Sequence, residues 1–358
     1  MNIFKTIPFL FLITISFSSC KNDKKIKIND KINSIKAIIA DAETTPVASI
    51  NDAADDACIW INPNNILKST IIGTNKKEGL IVYNLDGKEL YSYKLGKMNN
   101  VDIRNGFILN GEKVSVVTAT NRTLNTISIL IVKPTGELEE IAARPILSNL
   151  KKIYGLAMYK SPKSNKFYVF IVGKSGGIEQ WVLFAKNNKI DAKIVRKLLL
   201  SSISEGIVAD DFHAKVYIGE ENIALWKFDA EPESSNTKVK VASTTDVNMK
   251  DDFEGVTLYD AGNGKGYIIL SSQGNNSYAV FDRVTNKYQG SFSLKDAKSI
   301  DGTYDTDGID VTSFSFGEKY SKGFFIAQDG ANTQGKDTLN QNFKIVDWTK
   351  ISKSLNLK

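Results

Sequence analysis

Histidine and cysteine are scarce in this sequence, and their scarcity excludes several classes of site. The 358 residues include one histidine, His213. Zinc centres, phosphohistidine chemistry and most acid–base schemes rely on histidine, so we do not expect them here. The two cysteines are Cys20 and Cys58. Cys58 stands between apolar residues in ACIW, which favours a small buried side chain over a nucleophile.

The N-terminal residues have the features of an export signal. Lys5 precedes the apolar stretch IPFLFLITISF, and SSC ends at Cys20. Because this stretch is short for a membrane-spanning helix, we expect residues 1–20 to be a lipoprotein signal peptide, with lipid attached at Cys20. The protein would then be exported and lipid-anchored to the cell envelope, at the outer membrane or the cell surface. Cys58 would have no partner for an internal disulfide.

Positive charge is concentrated near the N-terminus. The net charge is +6, but residues 21–36 hold six Lys and two Asp, and Lys5 adds one more positive charge. Residues 37–358 are therefore almost neutral, which argues against a nucleic-acid-binding surface. We expect residues 21–37 to be a soluble tether and residues 38–358 to be one domain that acts as a monomer.

No long stretch shows helical periodicity. Instead, short runs such as STIIGT, KFYVFIVG and GYIILSSQ recur every 10–15 residues or so, separated by Gly, Asn or Asp turns. This pattern predicts an all-β fold, either a sandwich, a barrel or a propeller. The length favours a six-bladed β-propeller with four antiparallel strands per blade, although no clean internal repeat is visible.

One apparent catalytic motif is better explained as a turn. GKSGG at residues 173–177 matches G-x-S-x-G, but strand-like segments flank it on both sides. A nucleophilic Ser175 would also have to recruit His213. We therefore interpret this segment as a hairpin turn.

Charged residues recur where predicted strands meet turns. The segment DGTYDTDGID at residues 301–310 holds four aspartates, which suggests Ca²⁺, although the spacing is not that of an EF-hand. Further acidic positions are Asp55, Asp56, Glu205, Glu220, Glu221, Asp252 and Glu254, and basic positions are Lys76, Lys77, Arg104, Arg122 and Lys174. Turns of successive blades meet around a propeller axis, so these groups could share one site for Ca²⁺ and a polyphosphorylated anion. For any single residue, an ordinary surface charge is the alternative.

Several longer segments carry a specific resemblance. They include NDAADDACIWINP, TNKKEGLIVYNLDGKELYSYKLGKMNNVDIR, SEGIVADD, FEGVTLYDAGNGKGYIILSSQGNNSYAVFDR and DGTYDTDGIDV. In this order, from about residue 38 to about residue 350, the sequence resembles the β-propeller phytase family. The resemblance implies a six-bladed propeller that uses several Ca²⁺ ions, catalytic and structural, to hydrolyse phytate, myo-inositol hexakisphosphate, by attack of a metal-activated water.

The resemblance also implies roles for individual residues. Calcium ligands in the active site would be Asp55, Tyr154, Glu205, Glu221, Asp252, Glu254 and Asp307. Phosphate would be bound by Lys76, Lys77, Arg122 and Lys174, and a structural calcium ion near the last blade would use Asp301 and Asn332. Turnover would depend most directly on Lys76, Arg122, Tyr154, Lys174, Glu205 and Asp307.

The sequence departs from the family pattern at a few positions. Ser175 and Ala331 replace acidic residues, and Ala57 replaces a proline. Lys160 replaces a histidine, which we expect to add positive charge near the phosphate site. Two alternatives to a phytase remain open, a Ca²⁺-dependent propeller lactonase and a non-enzymatic surface propeller that binds inositol phosphates or glycans. The basic set speaks against the lactonase.

Overall fold

The computed structural model describes residues 34–358. The signal peptide, Cys20 and nearly all of the expected tether lie outside these residues. Within the described part, no helix combines the length and apolarity that crossing a membrane would require.

Six antiparallel sheets of four main strands account for most of the chain, which confirms the predicted six-bladed propeller. Blade one comprises β3 (Ala54–Trp60), β4 (Thr70–Asn75), β5 (Gly79–Asn84) and β6 (Glu89–Lys94). Blade two comprises β7 (Met98–Leu109), β8 (Glu112–Asn121), β9 (Thr126–Val132) and β10 (Leu138–Glu140), and β11 (Ile146–Leu147) also pairs with β9. Blade three comprises β12 (Ile153–Lys160), β13 (Phe167–Gly173), β14 (Gly177–Lys186) and β15 (Lys189–Leu199).

Blade four comprises β16 (Ser204–Asp210), β17 (Lys215–Glu220), β18 (Ala224–Asp229) and β19 (Lys238–Ser243). Blade five comprises β20 (Phe253–Gly262), β21 (Lys265–Ser272), β22 (Ser277–Asp282) and β23 (Tyr288–Leu294). Blade six comprises β24 (Ile309–Val311), β25 (Phe324–Asp329) and β28 (Asn342–Asp347), and a small hairpin of β26 (Thr333–Gln334) and β27 (Asp337–Thr338) precedes β28.

The N-terminal residues close the ring of blades. β1 (Lys36–Ile38) pairs in parallel with β23 on the outside of blade five, and β2 (Ala42–Glu43) pairs with β28 as the outermost strand of blade six. Strand β1 begins at Lys36, two residues before the expected boundary at residue 38. Among the described residues, the pairing of β2 with β28 joins the beginning and the end of the propeller in one sheet, which has four strands.

Apolar side chains fill the spaces between neighbouring blades. Residues 34–358 form six hydrophobic clusters, one at each interface between consecutive blades. Cys58 is buried in the cluster between blades one and two, and burial raises the pKa of its thiol well above the ordinary value. This confirms the expectation of a packed, unreactive side chain. The helix α1 (Trp348–Leu355) covers the interface between blades five and six, where the indole of Trp348 stacks on Tyr259.

The hairpin turn predicted from sequence lies where it was expected, because GKSGG connects β13 to β14. His213 lies in the turn between β16 and β17, where its Nδ1 is 2.9 Å from Asp210 Oδ2. Ser175 and His213 therefore lie on different blades, and the ring of His213 pairs with Asp210 and not with Ser175.

Candidate active site

The innermost strands of the six blades contact one another around the axis, and each carries a polar side chain at its start. In blades one to five this is the second residue of the strand, and in blade six it lies just before β24. The six residues are Asp55, Asn99, Tyr154, Glu205, Glu254 and Asp307. In blades one to five the strand pairing shifts register over these first residues. Such a bulge redirects side chains, and here it lets five blades contribute to the mouth of the axial channel that Asp307 also reaches.

Glycine follows the polar residue in four blades, at Gly155, Gly206, Gly255 and Gly308. A Cβ atom on Gly206 would lie 1.7 Å from the carbonyl oxygen of Glu254, and one on Gly155 would lie 1.8 Å from that of Glu205. Neighbouring inner strands can therefore approach this closely only where no side chain intervenes. This polar–glycine pair is the internal repeat that our reading of the sequence missed.

Three buried glutamates form the centre of the site. One carboxylate oxygen from each of Glu205, Glu221 and Glu254 lies within 4.8 Å of the other two. Among the described residues, Glu221 Oε1 and Glu254 Oε2 have no hydrogen-bond partner. Burial raises the pKa of Glu221 to about 7, with a further contribution from Asp252, and burial and Glu205 raise the pKa of Glu254 well above its usual value. Unpaired oxygens on crowded carboxylates fit Ca²⁺, which takes six to eight oxygen ligands.

Asp55 and Asp307 extend the acidic cluster, and Lys76 lies between them. The ammonium of Lys76 is 2.6 Å from Asp307 Oδ2, 3.1 Å from Asp55 Oδ2 and 2.6 Å from Asp52 Oδ1. Burial raises the pKa of Asp55 and of Asp307 to about 7, although the positive charge of Lys76 acts to lower both values. That Lys76 binds phosphate stays a prediction, and in this structure its ammonium is paired with these carboxylates.

Two basic side chains border the glutamates through Tyr154. Lys174 Nζ lies 3.8 Å from the centre of the Tyr154 ring, and Arg122 Cζ lies 5.6 Å from it. The positive charge of Lys174 acts to lower the pKa of Glu221, so Lys174 lies close to the acidic cluster. The exposed Lys77 is less closely involved, because its amine donates to the carbonyl of Ile50. The structure thus brings together most of the predicted basic set, with Lys77 at its edge.

Some of these groups line a cleft of about 590 Å³. Its lining includes Tyr154, Glu254, Asp307, Lys76 and Gln273. The cleft therefore reaches the acidic cluster, and Lys76 lines it beside Asp307.

Lys160 does not belong to this cleft, and the expectation that it adds charge near the phosphate site was wrong. It ends β12, six residues beyond Tyr154, and strands rise about 3.3 Å per residue, so roughly 20 Å separates the two. Lys160 instead lines a second cavity of about 530 Å³, together with Arg104 and Asp211.

The place expected for a structural calcium ion holds a lysine. Asp301 and Asn332 are both buried in blade six, as predicted, but Lys344 Nζ donates to Asp301 Oδ1 and to Asn332 Oδ1, the latter at 3.0 Å. While the Lys344 ammonium stays between these oxygens, they do not fit a calcium ion as well.

Asn99 is a site residue that our sequence analysis missed. It is fully buried, and its Oδ1 accepts a hydrogen bond from Arg122 Nη1 at 2.8 Å. Its Nδ2 donates to Glu205 Oε1 and, at 3.3 Å, to Asp55 Oδ1. Asn99 therefore ties the guanidinium to the acidic cluster. The sequence signal that could have identified it is its position at the start of an inner strand.

Gln273 was missed for a different reason. Its Nε2 donates to Asp307 Oδ1 at 2.7 Å, so it fixes the carboxylate on the side opposite Lys76. Gln273 lies in a short 3₁₀ turn between β21 and β22, away from the strand starts. No pattern in the sequence marks that turn as part of the site.

Comparison with known proteins agrees with this geometry. The family described as Phytase matches residues 6–358. A 3-phytase of Bacillus subtilis (strain 168) is 46% identical over 325 residues, which cover 89% of this chain and 85% of that protein. Six blades whose inner strands meet at one acidic and basic mouth, together with these two matches, show that the chain belongs to the phytase family.

Proposed function

We propose that this protein is a Ca²⁺-dependent phosphomonoester hydrolase that releases phosphate from phytate. The observation that carries the proposal is the buried triad of Glu205, Glu221 and Glu254 beside the basic pair of Arg122 and Lys174. The triad requires cations to offset its charge, and the basic pair suits an anion. A phosphate ester satisfies both requirements, and the name of the Bacillus subtilis relative supports phytate as the substrate.

The carboxylates would hold the calcium ions. Candidate ligands are Asp55, Tyr154, Glu205, Glu221, Asp252, Glu254 and Asp307. Bound Ca²⁺ would supply positive charge that offsets the phosphate and favours deprotonation of the attacking water.

Arg122 and Lys174 bind the phosphate oxygens and stabilise the charge that builds up on them. A guanidinium can donate two parallel hydrogen bonds to one phosphate, whereas an ammonium acts as a point charge. Asn99 holds Arg122 through the 2.8 Å hydrogen bond and so limits the orientations that the guanidinium can adopt. Fixed donors of this kind need no rearrangement during the reaction.

The reaction adds the elements of water across one ester bond. A bond forms between the water oxygen and phosphorus, and the bond between phosphorus and the inositol oxygen breaks. The proton lost by water balances the proton gained by the inositol hydroxyl. With His213 on the turn between β16 and β17, the site has no histidine to act as the acid, so we assign leaving-group stabilisation to the positive charge around the site.

The size of the cleft supports a substrate with neighbouring phosphates. About 590 Å³ exceeds what a single phosphate requires, and Lys76 lines the cleft beside Asp307, with Lys77 next to it in the chain. We therefore assign a second phosphate of the same substrate to this part of the cleft, where it is bound without being cleaved.

The test is phosphate release from phytate by the purified protein at neutral pH, first with Ca²⁺, then with excess chelator, and finally with Ca²⁺ restored. We expect release only in the first and third conditions, and much slower release from a substrate with one phosphate. If a folded, Ca²⁺-loaded protein bound phytate but released no phosphate, it would be a binding module and not a hydrolase.

We also propose that the protein is exported and held on the cell envelope by lipid at Cys20. The support is the arrangement of Lys5, IPFLFLITISF and SSC before a soluble tether. Metabolic labelling with a radioactive fatty acid tests this. Label should be incorporated in the wild type and lost in Cys20→Ala.

A further inference from the structure

Blade six contains a buried cation that belongs to the protein itself. Lys344 lies in the middle of β28, and its side chain has no exposed surface. Its ammonium lies 2.5 Å from Glu43 Oε2, 3.0 Å from Asn332 Oδ1 and 3.3 Å from Asp329 Oδ2, and it also donates to Asp301 Oδ1. Four oxygens from four parts of the chain thus converge on one nitrogen.

Most of the oxygens around Lys344 accept hydrogen bonds. Asp301 Oδ2 accepts from the backbone N–H and the hydroxyl of Thr333, while its Oδ1 accepts from Lys344. Asp329 Oδ1 accepts two backbone N–H groups. Asp329 Oδ2 has no hydrogen-bond partner among the described residues, but it forms an ion pair with the ammonium. The Lys344 ammonium is therefore the cation on which these oxygens converge.

Lys344 is held mostly among buried groups. Its side chain has no exposed surface, and its partners Asp301, Asp329 and Asn332 are buried, while Glu43 is 34% exposed. Lys76 in the active site differs, because its side chain is 13% exposed and one of its partners, Asp52, is 72% exposed. The ammonium of Lys76 can move out when cations or phosphate arrive, whereas removing the Lys344 ammonium would leave buried carboxylates uncompensated.

The partners of Lys344 come from the segments that close the propeller. Glu43 belongs to β2, the N-terminal strand that completes blade six, and Asp301 belongs to the connection from blade five. Asp329 ends β25, and Asn332 lies in the turn that follows it. The Lys344 ammonium therefore contacts both β2, at the beginning of the ring of blades, and segments of blade six, at its end. Ala331, next to Asn332, supplies no carboxylate for a divalent ion there.

We propose that Lys344 replaces the structural calcium ion that the family resemblance implies at Asp301 and Asn332, so that the propeller closes without metal at this position. The proposal is independent of the catalytic function, since none of these residues belongs to the glutamate triad or the basic pair. Lys344 then holds the blades together at this position, and calcium is left to serve the reaction.

The experiment counts bound Ca²⁺ in the full chain by isothermal titration calorimetry and measures the melting temperature with and without Ca²⁺. Asp301→Asn should bind as many Ca²⁺ ions as the wild type. Lys344→Met, which keeps the length of the side chain but removes the charge, should melt at least about 5 °C lower in chelator. It should also bind one additional Ca²⁺ ion and regain stability when Ca²⁺ is added.

Lys350→Met is the matched control, because Lys350 is a partly exposed lysine on α1 that pairs with Asp41. It should change neither the number of bound ions nor the effect of Ca²⁺ on melting. The proposal is overturned if Asp301→Asn binds one ion fewer than the wild type, or if a folded Lys344→Met binds no additional ion. If Lys344→Met does not fold, the comparison of Asp301→Asn with the wild type decides alone.

Discussion

The hydrogen bond between Asn99 and Arg122 offers a quantitative test of how the site is organised. Asn99→Ala removes the acceptor that lies 2.8 Å from Arg122 Nη1. A hydrogen bond to a charged group contributes about 1.5–3 kcal/mol. If all of this free energy serves to orient the guanidinium in the transition state, its loss should lower kcat/KM for phytate by roughly 10- to 150-fold, since about 1.4 kcal/mol corresponds to a factor of ten.

A double-mutant cycle separates positioning from a general loss of structure. Arg122→Ala should by itself lower kcat/KM by about 100- to 1000-fold, as for the loss of one fixed donor to developing charge. If Asn99 acts largely through Arg122, then removing Asn99 from a protein that already lacks Arg122 should cost little more. The double variant should therefore be at least about tenfold more active than the product of the two single losses predicts.

The assay is the initial rate of phosphate release at saturating Ca²⁺, and unfolding by urea is measured on the same samples. Asn105→Ala is the control, because Asn105 is an exposed asparagine further along the same strand, β7. It should leave the rate unchanged. Losses that multiply to within twofold would show that Asn99 and Arg122 act independently, which would refute the positioning role.

Three further predictions follow from the strand starts and from the axial channel. Glu205→Ala and Asp307→Ala should each lower kcat by at least about 1000-fold with an unchanged circular dichroism spectrum, and full activity in either would contradict the site assignment. Gly206→Ala should lower the free energy of unfolding by about 3 kcal/mol or more, because the added Cβ would overlap the backbone of the next inner strand. An unchanged melting temperature would contradict the close approach of the two strands. Burial and the charge of Asp102 raise the pKa of Asp310 to about 7. Because this pKa is higher in the folded protein than the ordinary value for Asp, the stability that Asp310 contributes is complete below about pH 4 and is lost as the pH rises to 7. The free energy of unfolding of Asp310→Asn, measured by urea titration, should therefore exceed that of the wild type by up to about 3 kcal/mol between pH 5 and 8. A difference between the two proteins that does not change with pH would refute the raised pKa.

Much of the fold could be predicted because strands and turns alternate so regularly. Runs such as KFYVFIVG became β13, and the glycine-rich segments became hairpin turns. The closure of the ring could not be predicted. β1 and β2 are three and two residues long, and their role depends on pairing with β23 and β28, about 250 to 300 residues away. Local pattern carries no information about such distant partners.

The site was predictable where charge and family pattern coincide, as at Glu205 and Asp307. It was not predictable where an ordinary residue acquires its role from neighbours in space. Asn99 is one of two adjacent asparagines in MNNV, and Lys344 stands in the alternating segment NFKIVD, where it suggests a solvent-facing position. Both are buried because strands from other blades surround them, and only the assembled ring brings their partners within reach.

Five of the six strand starts around the axis share one backbone bulge, and together with Asp307 they hold four types of side chain, namely Asp, Asn, Tyr and Glu. The bulge sets the backbone at each of the five positions, whereas the side chains contact one another across the axis, as Asn99 does with Glu205 and Asp55. A repeated backbone feature thus supports a site whose side chains differ from blade to blade. The symmetry of the propeller lies in its backbone, and the specificity of the site lies in the contacts between unlike side chains.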